Sequence, residues 1–265
     1  MVNKMKGISD EQFKLLVPNN TILLGWRGSV AHGTYTPKFG PDQRDDKDVI
    51  GIAVGPLDSY FGIKKFEQQI TEVTADDGVI WDAVTYELRK MVRLLLKSNP
   101  NVMSLLFLPD NLYITRTEYG DRLIAARDIF CSKQAYHSFV GYAHGQLHRM
   151  THPSGKHMGK KRRELVLKFG YDTKNASHLI RILKMGIEFL ATGEMSILRE
   201  NAQELIEIKN GEWPLEKVER LADELFATAR DALIHSQLPT QPDREKANTL
   251  CTSIISDFHS DSNWE

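Results

Sequence analysis

The chain has 265 residues, 41% of them hydrophobic and 26% charged, and a formal net charge of -1. That size suits one large globular domain or two modest ones, and the balanced charge excludes nucleic-acid binding by the molecule as a whole, leaving only a local basic patch. Two cysteines exclude a disulfide framework, and neither a signal-peptide pattern nor a membrane-length apolar run is present. We therefore expect a cytoplasmic protein that does not enter a membrane.

The first part of the chain alternates strand-like and helix-like segments. Short apolar runs predict four strands, at Thr21–Arg27, Asp48–Gly55, Glu67–Thr74 and Val79–Tyr86. The Asp76-Asp77-Gly78 turn separates the last two. From Tyr86 to Lys97 apolar residues recur every three or four positions, which predicts a helix that stops at Asn99-Pro100. A second short helix through Leu106 follows it.

Beyond Asn111 the pattern becomes mostly helical. Helical periodicity covers Glu118–Ile129, Lys133–Met150, Lys161–Lys168, Lys174–Ala191 and Pro214–His235. Pro214 suits the first position of its helix, and Gly193 ends the helix before it. Leu238–Pro242 predicts a turn or linker, and we expect the polar tail from Asp257 to Glu265 to fray, with Trp264 as its one anchor.

This order of elements predicts an α+β fold. A mixed sheet with flanking helices would form a catalytic domain at residues 1–115, and an all-helical domain would occupy residues 116–265. The helical domain would complete the cleft for nucleotide and acceptor.

Asp46 and Asp48 lie at the start of the second predicted strand. Side chains two residues apart on a strand point to the same face, so these carboxylates could hold paired Mg²⁺ ions against phosphate oxygens, while Lys47 faces away. The alternative is a solvated acidic loop, because runs of charge usually lie in water. The buried strand directly downstream favours the metal site.

Asp82 is the candidate for a third carboxylate. It interrupts the apolar strand from Val79 to Val84, and a buried carboxylate must be paired or bound to metal. The alternative is an aspartate paired with a surface lysine, and Asp77 and Glu87 are the substitutes. We predict a catalytic site of Asp46, Asp48 and Asp82 that binds two Mg²⁺ ions, for which Mn²⁺ can substitute.

Gly28 and Ser29 follow the first predicted strand and lead into a helical turn. Backbone N–H groups at the start of a helix favour phosphate, and a glycine lets phosphate approach the backbone closely. The alternative is an ordinary turn in which Ser29 caps the helix. Together with the later carboxylates, this pair predicts binding of a nucleoside triphosphate (NTP).

With these residues the chain resembles the polymerase-β-like nucleotidyltransferase superfamily, whose signature is Gly-Ser on a strand-helix turn followed by Asp-x-Asp on the next strand. Within that superfamily it is most similar to the family of RNA-repair-pathway nucleotidyltransferases. The similarity extends from about residue 22 to about residue 240, through Gly28–Thr34, Asn99-Pro100-Asn101, Gly159–Arg162, Gly170–Lys174, Ser177–Leu183 and Thr192-Gly193-Glu194. The loop between Ser29 and Asp46, with Lys38 and Arg44, is longer than in minimal members and is either an acceptor-recognition element or an insertion.

The resemblance implies metal-dependent transfer of a nucleoside monophosphate (NMP) from an NTP to a hydroxyl acceptor, such as an RNA or tRNA 3′ end. A protein or small-molecule hydroxyl is the alternative acceptor. A metal-independent helical ribonuclease, based on Arg230 and His235, is an alternative of another class, although this spacing often arises by chance. The sequence indicates neither the preferred NTP nor the oligomeric state.

Residues 144–168 are strongly basic, with Glu164 as their one acid. The stretch is either a solvated surface or a docking surface for a triphosphate or a nucleic-acid backbone. The candidates for binding the acceptor are Lys160, Lys161, Arg162 and Arg163. Aromatic residues are too few for base stacking to be indicated. The four-residue spacing of His144, His148 and His152 lacks the further ligands that a zinc site needs.

Lys174, His178 and Arg181 form one polar stripe on a helix whose opposite face is apolar. The stripe is either the solvated side of an amphipathic helix or a nucleotide-binding face. The resemblance favours the second, with Lys174 and Arg181 on the β- and γ-phosphates.

Overall fold

The computed structural model describes residues 8–36, 45–152 and 160–261. They form two compact units. The sheet unit contains the described residues up to Lys97, then Asn101–Phe130 and the chain from Pro242 onward. The helical unit contains Ser98–Pro100 and Cys131–Gln241.

The sheet unit is built on a five-stranded mixed sheet, which confirms the predicted α+β class. Its strands are β1 (Thr21–Arg27), β2 (Lys47–Ala53), β3 (Gln68–Thr74), β4 (Ile80–Glu87) and β5 (Tyr113–Arg116), in the order β3-β4-β2-β1-β5. The β2–β4 pair is parallel and the other pairs are antiparallel. Four of these strands lie close to their predicted positions, and β5 is an addition.

The helices of the described chain include every predicted one and some that were not predicted. They are α1 (Asp10–Leu16), α2 (Gly28–Ala31), α3 (Asp58–Phe61), α4 (Leu88–Leu95), α5 (Pro100–Met103), α6 (Glu118–Ala125), α7 (Gln134–Thr151), α8 (Lys160–Phe169), α9 (Thr173–Thr192), α10 (Ala202–Lys209), α11 (Leu215–His235) and α12 (Arg244–Asp261). Short 3₁₀ turns at Ser104–Phe107, Asp110–Leu112 and Arg127–Phe130 complete the set. Pro214 precedes α11 as its N-cap, one residue before the predicted place.

Apolar side chains are buried on both faces of the sheet. On one face, fully buried Leu24, Val49 and Trp81 contribute from three strands, and Leu16 of α1 joins the same cluster. The two-residue period of a strand sends the residues between them to the other face. That face buries Leu23, Ile50 and Ile52, each at most 1% exposed, and carries polar side chains at its end.

The C-terminal segment belongs to the sheet unit, and the expectation of a frayed tail is wrong for residues 257–261. Those residues are the last turn of α12, where Arg122 Nη1 donates to Asp257 Oδ2 at 2.7 Å and Tyr119 Oη donates to Asp261 Oδ2 at 2.6 Å. These side-chain bonds replace the hydration that a free polar tail would need. Trp264 lies outside the described residues.

The helical unit is arranged around α9, which is buried on most of its circumference and packs against α7, α10 and α11. Asp172 caps its N-terminus, and Gly193 ends it with a φ of 77° in the left-handed region, as predicted. The predicted division into domains at residues 1–115 and 116–265 stays a prediction. The two compact units divide the chain at other residues. Across the described helices, none has the length and apolar character of a membrane span.

Candidate active site

Four charged residues form a row across the sheet. Arg27 on β1 pairs with Asp48 on β2, Asp48 pairs with Asp82 on β4, and Asp82 pairs with Glu72 on β3. In-register residues of adjacent strands point to the same face and stand about 5 Å apart. We call Asp48, Asp82 and Glu72 the carboxylate row, with Arg27 at its end.

Two members of the row are partly shielded from water. Arg27 Nη2 lies 3.2 Å from Asp48 Oδ1, with 33% and 26% of the two side chains exposed. Asp82 is half-buried, whereas Glu72 is exposed on the edge strand. Like charges directly opposite one another in a sheet are destabilising, and Arg27 offsets part of that repulsion at Asp48.

The reverse face of the same strand pair is apolar. Lys47 turns away from the row, and its Nζ lies 4.5 Å from the centre of the Trp81 ring. Burial lowers the pKa of Lys47, partly offset by Asp77. Lys47 therefore faces away from the row, as expected. The row and the Trp81 ring lie on opposite faces of the sheet at the start of β2.

The predicted Asp-x-Asp motif straddles the start of β2. Asp46 lies one residue before the strand and Asp48 is its second residue; both are half-buried. Asp45 accepts hydrogen bonds from the Thr36 amide at 2.9 Å and the Thr36 hydroxyl at 3.0 Å. Asp45 is therefore committed to the base of the loop, and residues 37–44, with Lys38 and Arg44, lie outside the described part.

Gly28 brings the chain against Asp48 at the junction of β1 and α2. Its φ is +62°, and a Cβ built there would overlap the Asp48 carboxylate, standing 3.0 Å from Cγ. Only glycine combines this backbone conformation with such close approach. Half-buried Ser29 follows, and its carbonyl accepts the Thr34 N–H at 2.9 Å. The helix N-cap is Arg27, so the alternative that made Ser29 the cap is wrong.

The donor set at this end of the sheet fits Mg²⁺. Within the described ranges, no three His, Cys, Asp or Glu residues are grouped closely enough to enclose a metal ion. Mg²⁺ usually takes one or two carboxylates and completes its octahedron with water and substrate phosphates. In-register Asp48 and Asp82 meet that requirement, and the missing Cβ of Gly28 leaves room for the Asp48 carboxylate.

The two substitutes for Asp82 have other contacts. Asp77 accepts the Val79 N–H at 3.0 Å in the turn before β4. Glu87 lies at the far end of β4, is 2% exposed, and accepts hydrogen bonds from the Tyr60 hydroxyl at 2.8 Å and the Lys90 amide at 3.2 Å. Its contacts are those of a structural carboxylate.

A second charged group lies in the helical unit. Lys174, His178 and Arg181 of α9 are half-buried, and Arg162 of α8 and Lys209 of α10 approach His178. Arg162 Nη1 is 3.9 Å from the buried Asp172 carboxylate. We call these five residues the α9 cationic cluster.

The cluster shifts the titration of its own members. Burial, followed by the charges of Arg181, Lys174, Arg162 and Lys209, lowers the pKa of His178 well below its usual value. Burial also lowers the pKa of Arg181 to about 10. At neutral pH the imidazole is therefore uncharged and Arg181 remains a cation.

The predicted RNA-binding residues are divided by the structure. Arg163 is exposed, whereas Arg162 is half-buried beside Asp172 and His178. Lys160 and Lys161 begin α8, and their side chains lie outside the described part. Arg162 stays a predicted acceptor contact, and its charge also acts on His178, one of the nucleotide candidates.

The ribonuclease pair is not brought together. Arg230 and His235 are both exposed on α11, and positions five apart on a helix point about 140° apart. The His235 Nδ1 lies 2.9 Å from the Asp231 carbonyl of its own helix. This arrangement offers no shared catalytic pocket.

Sequence reasoning missed Arg27, Glu72 and Lys209 as parts of these two sites. Arg27 directly precedes the Gly-Ser pair in the sequence. Its place in the row could be recognised only once the pairing of β1 with β2 was known. Glu72 and Lys209 depend on cross-strand register and helix packing, for which the sequence has no local signal.

Comparison with known proteins places this geometry in a family. The chain belongs to the RNA repair pathway DNA polymerase beta family (RlaP), whose model matches residues 3–253. It is therefore a polymerase-β-like nucleotidyltransferase, as its motifs predicted, and nucleotidyltransferases of this superfamily typically use divalent metals. No curated protein matches the chain significantly.

Two solved structures resemble the chain at low similarity. One is a nucleotidyltransferase-like protein from Exiguobacterium sibiricum 255-15, with 10% identity, 93% of this chain and 76% of that chain covered, and a TM-score of 0.31. The other is the Bradyrhizobium diazoefficiens CD-NTase CdnG in complex with GTP, with 11% identity, 94% and 90% covered, and a TM-score of 0.22.

Proposed function

We propose that this nucleotidyltransferase transfers an NMP from an NTP to a hydroxyl acceptor, with an RNA 3′ end as the favoured acceptor. The acceptor oxygen forms a bond to the α-phosphorus, the bond from that phosphorus to the bridging oxygen of the β-phosphate breaks, and pyrophosphate leaves. The hydroxyl proton passes to solvent. Atoms and charge balance without a redox partner.

The observation that carries this proposal is the alignment of Asp48 and Asp82 beside Gly28. The two carboxylates share one face of adjacent parallel strands, and Gly28 removes the Cβ that would block Asp48. Asp46, Asp48 and Asp82 would hold two Mg²⁺ ions, or Mn²⁺ in their place. When bound, these ions offset negative charge on the phosphates, which supplies several kcal/mol of transition-state stabilisation.

The candidate phosphate contacts are Gly28 and Ser29 in the sheet unit and, separately, the α9 cationic cluster in the helical unit. Arg181 keeps its charge at neutral pH despite a pKa lowered to about 10, so it can donate to phosphate oxygens, as can Lys174. Neutral His178 would add a hydrogen bond without adding charge. Lysine and arginine side chains donate hydrogen bonds and carry positive charge, so they suit the oxygens of a polyphosphate.

The acceptor assignment is supported by the basic start of α8. Lys160, Lys161 and exposed Arg163 offer positive charge to an RNA backbone. Arg162 would act on the nucleotide, because it lies 3.9 Å from Asp172 near His178. Protein and small-molecule hydroxyls are the other outcomes of the test.

The test follows the label from each α-³²P-labelled NTP with Mg²⁺ or Mn²⁺. RNA with a free 3′-hydroxyl is compared with the same RNA after periodate oxidation, which removes the acceptor hydroxyl. We expect label on the first RNA only, and none with Asp82→Asn. Label on a protein or small molecule from cell extract would replace RNA as the acceptor, and no transfer from any NTP to any acceptor would contradict the proposed function.

A further inference from the structure

Strand β3 lies at an edge of the sheet. It pairs with β4 on one side, and no strand of the described residues pairs with its other side. The Glu87 N–H donates to the Glu67 carbonyl, and the Ala75 N–H donates to the Val79 carbonyl, each at 2.9 Å. Odd-numbered residues of this segment therefore direct their backbone groups to β4, and even-numbered residues direct theirs outward.

This edge has little of the protection that natural edge strands carry. Proline, bulges and lysine side chains usually keep such edges from pairing with another chain. The seven residues of β3 include no proline, their register against β4 is uninterrupted, and Glu72 is their one charged residue. At the end of the strand the Thr74 carbonyl accepts a hydrogen bond from Gln12 Nε2 at 3.3 Å. The edge is therefore open to strand pairing between Gln68 and Glu72.

Large exposed apolar side chains accompany the open edge. Ile70, in the middle of the outward-facing positions, is 73% exposed. Phe61 and Ile63 lie shortly before the strand in the sequence, and both are almost fully exposed. Leu15 is also exposed, and it lies one helical turn beyond Gln12 on the same side of α1. A concentration of such residues is typical of a surface that another protein covers.

The two ends of β3 carry opposite charge. Exposed Lys64 and Lys65 precede the strand, and Lys64 Nζ forms a surface ion pair with Asp58 Oδ2 at 2.7 Å. Exposed Asp76 and Asp77 follow the strand in the turn before β4. When two copies of a strand pair antiparallel about a two-fold axis, the start of each lies beside the end of the other. A second copy of this chain therefore brings a basic end to an acidic end.

The side chains of β3 select one register for this pairing. A slip by one residue would turn every side chain to the wrong face, so even-numbered residues must lie opposite even-numbered residues. A two-fold axis at Glu72 would oppose two like charges, which is destabilising. An axis at Thr71 would set Ile70 opposite Glu72. An axis at Ile70 sets isoleucine opposite isoleucine and Glu72 opposite Gln68, so apolar meets apolar and no like charges face each other.

We propose that the protein forms a two-fold dimer in which the β3 strands of two copies pair antiparallel about Ile70. The two Ile70 residues exchange both N–H···O=C bonds, and two five-stranded sheets become one continuous sheet. Beyond the strand, the same register brings Asp76 towards Lys64 of the partner subunit. Both carboxylate rows then lie on one face of the joined sheet, and each row continues from Glu72 to Gln68 of the partner subunit.

The test measures the dimer dissociation constant of the full-length protein by sedimentation equilibrium. Ile70→Lys places two like charges opposite one another at the two-fold axis. Ile234→Lys is the matched control, because Ile234 is 66% exposed and lies on α11 of the helical unit. An equimolar mixture of Ile70→Lys with Ile70→Glu tests the register, since opposite charges meet there only if position 70 pairs with itself.

We expect a dimer for the wild type and an unchanged dissociation constant for Ile234→Lys. Ile70→Lys and Ile70→Glu, each alone, should raise the dissociation constant at least about tenfold, because repulsion replaces an apolar pair. Mixing the two should restore dimers that contain one chain of each kind, which native mass spectrometry identifies. Far-ultraviolet circular dichroism should show unchanged secondary structure in all variants, because the substituted side chains are exposed.

A monomeric wild type would overturn the inference, as would an Ile70→Lys variant that dimerises as the wild type does. Tighter dimers of Ile70→Lys would show that position 70 lies opposite Glu72, and this result or a mixture without mixed dimers would overturn the register. If neither Ile70 variant folds, the residue belongs to the fold and the interface is contradicted. NMP transfer by a monomeric wild type would contradict this inference alone, and a dimer that transfers no NMP would contradict the proposed function alone.

Discussion

The carboxylate row and the α9 cationic cluster hold opposite charges and arise from different periodicities. In the row, strand register aligns Asp48, Asp82 and Glu72 on one face of the sheet. In the cluster, the helical repeat aligns Lys174 and Arg181 on one face of α9. The row offers carboxylate oxygens that accept hydrogen bonds or bind cations, and the cluster offers mainly N–H donors.

Two ion pairs elsewhere in the helical unit are formed within the chain. Arg199, 6% exposed, donates to Glu188 through two nitrogens, one at 2.7 Å, and Lys184 lies 2.8 Å from Glu204. Such pairs need no ligand. The difference teaches that the chemistry of the side-chain groups distinguishes the candidate sites: carboxylate oxygens suit a metal ion, and N–H donors suit a polyphosphate.

The largest effect is expected from removing the negative charge of one carboxylate in the row. Asp48→Asn and Asp82→Asn should each lower the rate of NMP transfer at least about a thousandfold, since metal-bound charge contributes several kcal/mol at the transferring phosphate. Their melting temperatures should stay level or rise, because repulsion within the row decreases. Rates from labelled NTP and thermal melts measure the two effects.

Asp77→Asn is the control for the row, because Asp77 serves the turn before β4 through its bond to the Val79 amide. It should retain transfer activity. Near-wild-type transfer by Asp82→Asn together with inactive Asp77→Asn would move the third carboxylate to the turn.

The second prediction tests whether the start of α8 binds RNA while the α9 cationic cluster binds the NTP. Changing Lys160, Lys161 and Arg163 together to alanine should lower the slope of log RNA affinity against log salt by about 2, at about 0.7 for each lost contact with a single strand. NTP affinity should not change. Fluorescence anisotropy with labelled RNA at several salt concentrations measures the slope.

Arg162→Ala is the matched control for the triple variant, because Arg162 lies on the same turn of α8 as the three changed residues. It should weaken NTP binding more than it changes the salt slope for RNA, because Arg162 adjoins Asp172 and His178. Equal salt slopes for the wild type and the triple variant would exclude this stretch as the RNA contact.

The sequence could predict the row only in part, for reasons visible in particular residues. Asp46, Asp48 and Gly28 are recognisable because their spacing is local and matches a known motif. Asp82 could be named because it interrupts an apolar run, but its pairing with Asp48 depends on the register of two strands about 34 positions apart. Glu72 has no signal before that register is known.

The helical unit shows the same limit. The stripe of Lys174, His178 and Arg181 follows from spacing within one helix. Lys209 comes from another helix, and only the packing of α10 against α9 brings it near His178. α12 was missed because its sequence is polar along most of its surface, and an ion pair and hydrogen bonds to α6 hold it in place.

The third prediction sharpens the role of Gly28 in the row. Gly28→Ala should destabilise the fold by more than Gly78→Ala, although both residues have positive φ, at +62° and +76°. A Cβ on Gly78 meets nothing within 4 Å in the described structure, so that variant measures backbone strain alone, about 1 kcal/mol. A Cβ on Gly28 also displaces the Asp48 carboxylate.

Transfer activity should therefore fall with Gly28→Ala, by about tenfold or more, and stay near wild type with Gly78→Ala. Urea unfolding gives the stabilities and the labelled-NTP assay gives the rates. Equal loss of stability in both variants, with full activity in Gly28→Ala, would remove Gly28 from the site.

The smallest expected effect concerns the charge of His178 in the cluster. Burial and the surrounding Arg181, Lys174, Arg162 and Lys209 lower the folded-state pKa of His178 below the unfolded value of about 6.5. Below that pH the unfolded chain binds a proton that the folded chain does not. The stability that neutral His178 contributes is therefore fully present above about pH 7. It decreases as the pH falls towards the folded-state pKa, by at most about 1.4 kcal/mol per pH unit.

His178→Gln should remove this contribution, because glutamine does not titrate. The difference in unfolding free energy between wild type and variant, from urea curves between pH 5 and pH 8, should then be constant above pH 7 and change steadily below pH 6.5. Ser177→Ala, which lowers stability without changing a titrating group, should shift the whole curve by a constant amount. Parallel curves for wild type and His178→Gln would show that the cluster does not hold the imidazole neutral, and the cations would then lie too far from His178 to form one anion site.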